Sequence, residues 1–420
     1  MRNLVLFFER QVPLSYGAAV VASTAVGVGM MSLPIVSLGM WFFLSLFVLL
    51  TTAIYVIAAG SLLLEVNMRY PTGTGIHTMV HDLLGTRHAL LCDFTMIFNG
   101  FILLYAYITV GTEAVQFYVK QLLSFELNRY SAGVLFAGVF GAIFYSAPLM
   151  ISRFLGLCVS VMALSFIYIA YHLSSTVEIE YITLPSVENG YSLKLLPFIL
   201  VALPFFMAAM GFQQVIPMLR ELYSNKPKRI MKSIVLGIVF VSCIYGIWLF
   251  VIMANQSREE MIISVTSGKD NIETVVKTIS QNDSVKSLMF FFVQIAVLTS
   301  FIGVAKGLLD YLTDFASNRY GFSPRYSKIF VLIVPLLLSL AFPYGFLVAI
   351  GFAGLAGAVW SGVYPALMAL VVRERSSEAL PKQSYRAFGG RITPWFTFGY
   401  STVLIVVMLL GYFELLPKLS

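Results

Sequence analysis

Apolar residues in this chain fall in long runs, separated by short polar breaks that recur every 25–50 residues. A helix that crosses the hydrocarbon core of a bilayer needs about 20 mostly apolar residues. Eleven stretches approach or exceed that length: Ser15–Leu38, Trp41–Leu64, Leu91–Tyr118, Ala132–Leu149, Leu155–Leu173, Leu195–Leu219, Ile234–Met253, Leu288–Leu312, Ser327–Phe342, Phe346–Val372 and Trp395–Phe413. The ninth is short and ends at Pro343-Tyr344-Gly345, so its border with the tenth is the least sharply marked. This pattern predicts an all-α integral membrane protein, residues 1–420 forming one membrane domain. A cleaved signal peptide would also place Arg2 and Arg10 ahead of an apolar stretch, with small residues near Ala22. The stretch runs on to Leu38 with glycines and a proline that a signal has no use for, and it is read as the first span.

Composition agrees. The chain is 59% hydrophobic and only 11% charged, with a mean hydropathy of +0.87, where a soluble domain keeps roughly a quarter of its residues charged. The formal charge of +7 raises the question of nucleic acid, and the distribution answers it. With the N-terminus in the cytoplasm, 18 of the 27 Lys and Arg fall on the inner side, including the run Lys226-Pro227-Lys228-Arg229. The acidic loop around Glu178, Glu180 and Glu188 falls outside. Such a bias sets insertion, and nucleic acid is not a partner. The cysteines Cys92, Cys158 and Cys243 lie in or beside apolar segments, without zinc or disulfide spacing. Two loops are longer. Asn255–Lys286 should carry a short surface helix, and Arg69–His88 an amphipathic helix ending at Leu84.

Two segments look damaged as helices. The first contains Gly27, Gly29 and Pro34, and the sixth contains Gly211 and Pro217, with Pro204 upstream. Glycine lowers helix stability, and proline removes a backbone donor and clashes with the preceding turn. Unwound backbone at membrane depth is tolerated only where it is buried in protein or lines a wet cavity. Its free amides and carbonyls could hold the carboxylate and ammonium of a zwitterion. Glycine and proline can also serve close packing alone. The two breaks, however, stand about 183 residues apart, and interruptions at matching places in two halves point to an inverted repeat. With five helices per half, repeat one covers about 13–173, repeat two about 193–372, and one helix at about 395–415 is left over.

At these residues the chain resembles the bacterial aromatic amino acid permeases, the tyrosine- and tryptophan-specific branch of the amino acid permease superfamily. The matching stretches are Gly27-Val28-Gly29-Met30-Met31-Ser32-Leu33-Pro34, Leu62 to Asn67, and Thr299 to Leu312, the last being the most specific. The resemblance covers nearly the whole chain. It implies a five-plus-five fold like that of the sodium-dependent leucine transporter, with discontinuous helices one and six and an eleventh helix appended. It also implies a bacterial cytoplasmic membrane, a substrate held between the first, third, sixth and eighth helices, and proton-driven import. Two departures stand out. The family usually has His after the Gly-aromatic pair of the sixth helix, where this chain has Gln213, and an apolar residue where it has Lys306.

Candidate substrate contacts are therefore Thr24, Ala25, Gly27 and Gly29 in the first segment, Tyr107 in the third, Met207, Gly211, Phe212 and Gln213 in the sixth, and Thr299 in the eighth. The Tyr107 hydroxyl could meet a carboxylate or simply pack. Phe205, Phe206, Met207 and Phe212 could form an apolar pocket. Candidate coupling groups are Lys306, Asp310, Glu113 and Ser300. Lys306 and Asp310 lie one helical turn apart, as a structural ion pair or as a tethered cation standing in for sodium. Thr299 and Ser300 align with hydroxyl ligands of a sodium site in the leucine transporter, which keeps sodium as the alternative ion. Glu113 is a functional carboxyl or an outer-gate contact, and Glu65 and Asp93 are expected to be solvated or to cap helices.

Enzyme and metal chemistry find no support. His77 and His81 lack the Glu of a zinc protease, having Thr78 after the first His, and Gly73-Thr74-Gly75 lacks the Lys of a phosphate-binding loop. No cofactor is called for. The function predicted is a secondary transporter of aromatic amino acids, with other neutral amino acids as the second possibility and a passive channel as the reading from another class.

Overall fold

Helices occupy the places where the apolar runs fall. The computed structural model describes residues 12–27, 29–144, 148–183, 193–267, 283–320, 324–343, 345–375 and 385–417, and none of these is in a strand. Seven helical spans are long and apolar enough to cross a membrane: Trp41–Asn67, Thr86–Leu123, Pro197–Leu222, Pro227–Met253, Ser287–Thr313, Phe346–Arg375 and Ile392–Tyr412. The first segment makes an eighth if its two pieces are counted together. The fourth, fifth and ninth segments form the helices Arg129–Phe144, Pro148–Ser174 and Pro324–Ala341. The third and eighth segments are longer than their apolar runs, each a helix of 38 residues, Thr86–Leu123 and Asp283–Tyr320. At 1.5 Å per residue each is roughly 57 Å long, nearly twice the hydrocarbon thickness.

Both expected breaks are present. Helix Leu14–Ala25 ends where Val26 turns extended, and a second helix, Gly29–Val36, leaves at 61°. In the sixth segment helix Pro197–Ala209 gives way at Met210 to non-helical backbone, then to a 3-10 turn at Gln213–Val215 and helix Ile216–Leu222. Pro217 therefore starts the second piece, a position where its missing N–H has no helical partner to lose. The tenth segment, expected as one helix, contains a π turn at Ala358–Val363 between Phe346–Gly357 and Tyr364–Arg375. The expected loop helices occur as Ile76–Leu84 and Arg258–Ser267, while residues 268–282 and 184–192 lie outside the described residues.

Close approach fixes how these pieces pack. The first half-helix lies on the seventh segment, where a Cβ at Gly237 would come 2.7 Å from Val21. The third helix runs through the middle of the bundle and touches the fourth, eighth, ninth and tenth segments.

Two carboxylates depart from expectation. Glu65 is fully buried and paired bidentately with Arg373 at 2.8 and 2.6 Å, and it also accepts the Ala387 N–H at 2.7 Å. Asp93 is 2% exposed and lies 2.7 Å from His77 Nδ1, with the Tyr311 hydroxyl donating to its other oxygen. Neither is solvated, because partners distant in sequence replace the lost water. Arg373→Ala leaves a buried, uncompensated carboxylate and should cost about 3–5 kcal/mol, read as a lower unfolding temperature of the detergent-solubilised protein. Arg373→Lys, which keeps charge without the bidentate fork, should lose less. An unchanged unfolding temperature in Arg373→Ala would make the pair dispensable.

Candidate functional site

The two interruptions meet. A Cβ at Gly29 would stand 3.0 Å from Ala209 Cα, so the start of the second piece of segment one rests against the end of the first piece of segment six. Gly27 is equally close to the eighth segment, its hydrogens facing the Ser300 hydroxyl. Glycine at both positions is what lets the neighbouring segments come this close.

Each first half-helix ends in carbonyls that its own helix cannot satisfy. One side chain serves both ends. The hydroxyl of Tyr245, buried on the seventh segment, stands 2.9 Å from the Ala25 carbonyl oxygen and 2.8 Å from that of Ala209. A hydroxyl has one proton to donate, so the two carbonyls share it and keep acceptor capacity for another donor. The Phe212 N–H donates to Gln213 Oε1 at 3.0 Å. That bond orients the amide, because a backbone N–H must face the oxygen, and it leaves Gln213 Nε2 buried without a hydrogen-bond partner.

Around this junction lies a cavity of about 50 Å³. Thr24, Ala25, Gly27, Gly29, Tyr107, Met207, Gly211, Gln213 and Ser300, all named from the sequence, are in its wall. Tyr107 and Ser300 face the same cavity. Phe212 is not in the wall; its ring is turned to the second segment, 2.6 Å from where a Cβ on Gly60 would be. Thr299 is also outside, its hydroxyl donating to the Ala296 carbonyl at 3.0 Å. Glu113 is half-buried and Lys306 exposed, and neither lines the cavity. The Asp310 side chain lies outside the described residues.

Sequence reasoning missed the tenth segment, which contributes Ile350, Ala353, Gly357, Trp360 and Ser361, and it missed Asn99 and Gln214. The available signals were an amide in the middle of an apolar helix and a tryptophan within a glycine-rich span, away from the interfacial belt where tryptophan usually sits.

The cavity continues toward one end of the bundle. Asn99, Leu103, Gln214, Val304 and Trp360 also border a larger cavity of about 350 Å³ that continues past Gly100, Gly303 and Gly307 to Gly75, Pro217 and Tyr311. A Cβ at Gly303 or Gly307 would meet nothing within 4 Å. On the opposite side the bundle is shut. Gly354 of the tenth segment is pressed on the Pro204 carbonyl oxygen, Gly39 on Phe198, and Phe117 stacks on Phe290 with centroids 4.5 Å apart. No group of three or more potential metal ligands occurs among the described residues.

A model of the tryptophan/tyrosine permease family matches residues 11–408. The chain belongs to that family. The permease is similar to a tryptophan-specific transport protein of Haemophilus influenzae, 32% identical over 94% of this chain and 96% of that one. It is also similar to a low affinity tryptophan permease of Escherichia coli, 29% identical over 98% of both chains, and to a tyrosine permease of Enterobacter agglomerans, 29% identical over 97% and 98%. Among solved structures it resembles Mhp1, a nucleobase-cation-symport-1 family transporter, with a TM-score of 0.66, 15% identity, and coverage of 97% of this chain and 94% of that one. The permease is thus a transporter, not an enzyme, with a transporter fold.

Removing the shared hydroxyl tests the junction. Tyr245→Phe leaves the Ala25 and Ala209 carbonyls without their common donor and should destabilise the purified permease by about 1–3 kcal/mol, measured by thermal unfolding in detergent. No change would mean that other groups satisfy both carbonyls.

Proposed function

We propose that this permease imports tryptophan or tyrosine by proton symport across the bacterial cytoplasmic membrane, through eleven spans arranged as five plus five inverted plus one, with its N-terminus inside. The observation that carries the reading is the meeting of two interrupted helices at a cavity that continues into a larger one toward one end of the bundle. Helix ends at that depth offer the opposite partial charges that a zwitterionic substrate needs. In this arrangement the ammonium lies by the Ala25 and Ala209 carbonyls and the carboxylate by Gly27, Gly29 and the Tyr107 hydroxyl. Met207, Leu103, Val304 and Ile350 give the ring an apolar wall, with Trp360 at its border.

Under the N-terminus-inside orientation the open cavity faces the cytoplasm, so the conformation is inward-open. Coupling is assigned to the charges of the third and eighth segments, Glu113, Lys306 and Asp310, with Ser300 at the cavity. The relatives named above as tryptophan and tyrosine permeases support the substrate class.

Uptake of labelled tryptophan, tyrosine and leucine into proteoliposomes, with proton and sodium gradients imposed separately, tests the proposal. The expected result is accumulation of an aromatic amino acid driven by an inward proton gradient, with leucine excluded. Absence of aromatic uptake under every gradient refutes it. In the same assay Gln213→Ala should raise the apparent KM for the transported aromatic amino acid about tenfold, the worth of one buried hydrogen bond, and Lys306→Leu should alter the pH dependence of uptake.

A further inference from the structure

Three buried polar atoms on this passage lack hydrogen-bond partners among the described residues: Asn99 Oδ1, Gln213 Nε2 and Trp360 Nε1. Gln213 and Trp360 are 0% and 5% exposed. Buried polar groups are nearly always satisfied, so a cluster of exceptions facing one cavity marks a place for a ligand's own polar atoms. Two of the three, Asn99 and Trp360, stand at the collar where the central cavity joins the larger one. Their chemistry is complementary: Asn99 Oδ1 only accepts, and Trp360 Nε1 only donates. Trp360 is presented from the π turn of the tenth segment, and such turns are found frequently at functional sites.

We infer that Asn99 and Trp360 read the polar atom of the substrate's ring and set the order in which aromatic amino acids are accepted. This rests on the substrate class proposed above. An indole N–H donates to Asn99 Oδ1. A phenol hydroxyl donates to Asn99 Oδ1 and accepts from Trp360 Nε1. A bare benzene or benzothiophene ring does neither and leaves both atoms unpaired. Sites built around such hydrogen bonds reject analogues lacking the group far more strongly than apolar pockets reject a missing methylene.

Competition against labelled tryptophan uptake in proteoliposomes is the test, with tyrosine, phenylalanine and 3-benzothienylalanine (sulfur in place of the indole N–H) as competitors. In the unaltered permease, phenylalanine and benzothienylalanine should compete at least tenfold more weakly than tyrosine and tryptophan. Asn99→Leu should bring the tryptophan-to-benzothienylalanine ratio to within threefold of one. Trp360→Phe should leave that ratio in place while reducing the advantage of tyrosine over phenylalanine. Equal competition by tryptophan and benzothienylalanine in the unaltered permease overturns the inference, because water alone would then satisfy the two atoms; this holds even if a variant fails to insert. It is overturned equally if transporting Asn99→Leu keeps the tryptophan-to-benzothienylalanine ratio, or if transporting Trp360→Phe keeps the full advantage of tyrosine over phenylalanine. If no aromatic amino acid is taken up at all, it is the proposed substrate class that fails.

Discussion

Main-chain groups at bilayer depth have no water to turn to, and each one left unpaired costs several kcal/mol. The junction of the first and sixth segments concentrates such groups in one place. Two helices stop, at Ala25 and Ala209, and the hydroxyl of Tyr245 stands between their last carbonyls. The seventh segment is thereby tied to both breaks through a single atom, and the first half-helix is seated along that same segment. A movement of one broken segment that did not carry the other would strip a carbonyl of its partner. The polar requirement thus couples the two breaks mechanically as well as creating the place where a charged solute can be held.

Around this junction the walls divide the work. The first and sixth segments supply backbone, the third and eighth supply Tyr107, Asn99 and Ser300, and the tenth supplies an indole and small residues. Gln213 illustrates the constraint on polar side chains there. Its oxygen is spent on the Phe212 amide, so only its N–H donors face the cavity. The carboxamide cannot titrate, so Gln213 can bind through its N–H donors but cannot itself carry a proton.

The breaks were legible because glycine and proline act on the backbone locally, and so was the helix Ile76–Leu84, whose apolar residues recur at helical spacing. Phe212 was not, because unwound backbone has no periodicity from which to read a direction, and its ring turned away to Gly60. Trp360 was hidden by a π turn, which leaves no mark in composition, and the burial of Glu65 by a partner 308 residues away. Spacing placed Lys306 and Asp310 one turn apart on the eighth helix, but the neighbours decide what the face around Gly303, Lys306 and Gly307 meets. Here it is open.

Glycine is used in two opposite ways on the two sides of the cavity. On the closed side Gly354 and Gly39 are filled to contact by the Pro204 carbonyl and the Phe198 ring, so that backbone replaces side chain as the seal. On the open side Gly75, Gly303 and Gly307 have nothing within 4 Å of where a Cβ would stand. In a bundle that served only one conformation, Gly303 and Gly307, both inside the eighth helix, would gain helix stability from alanine at no steric expense. Their bareness has a use if the same helix faces meet in the other state of the cycle, as the closed-side glycines do in this one. Larger residues would then hold the passage open, whereas Gly100, which borders the same larger cavity, is already filled by Leu308.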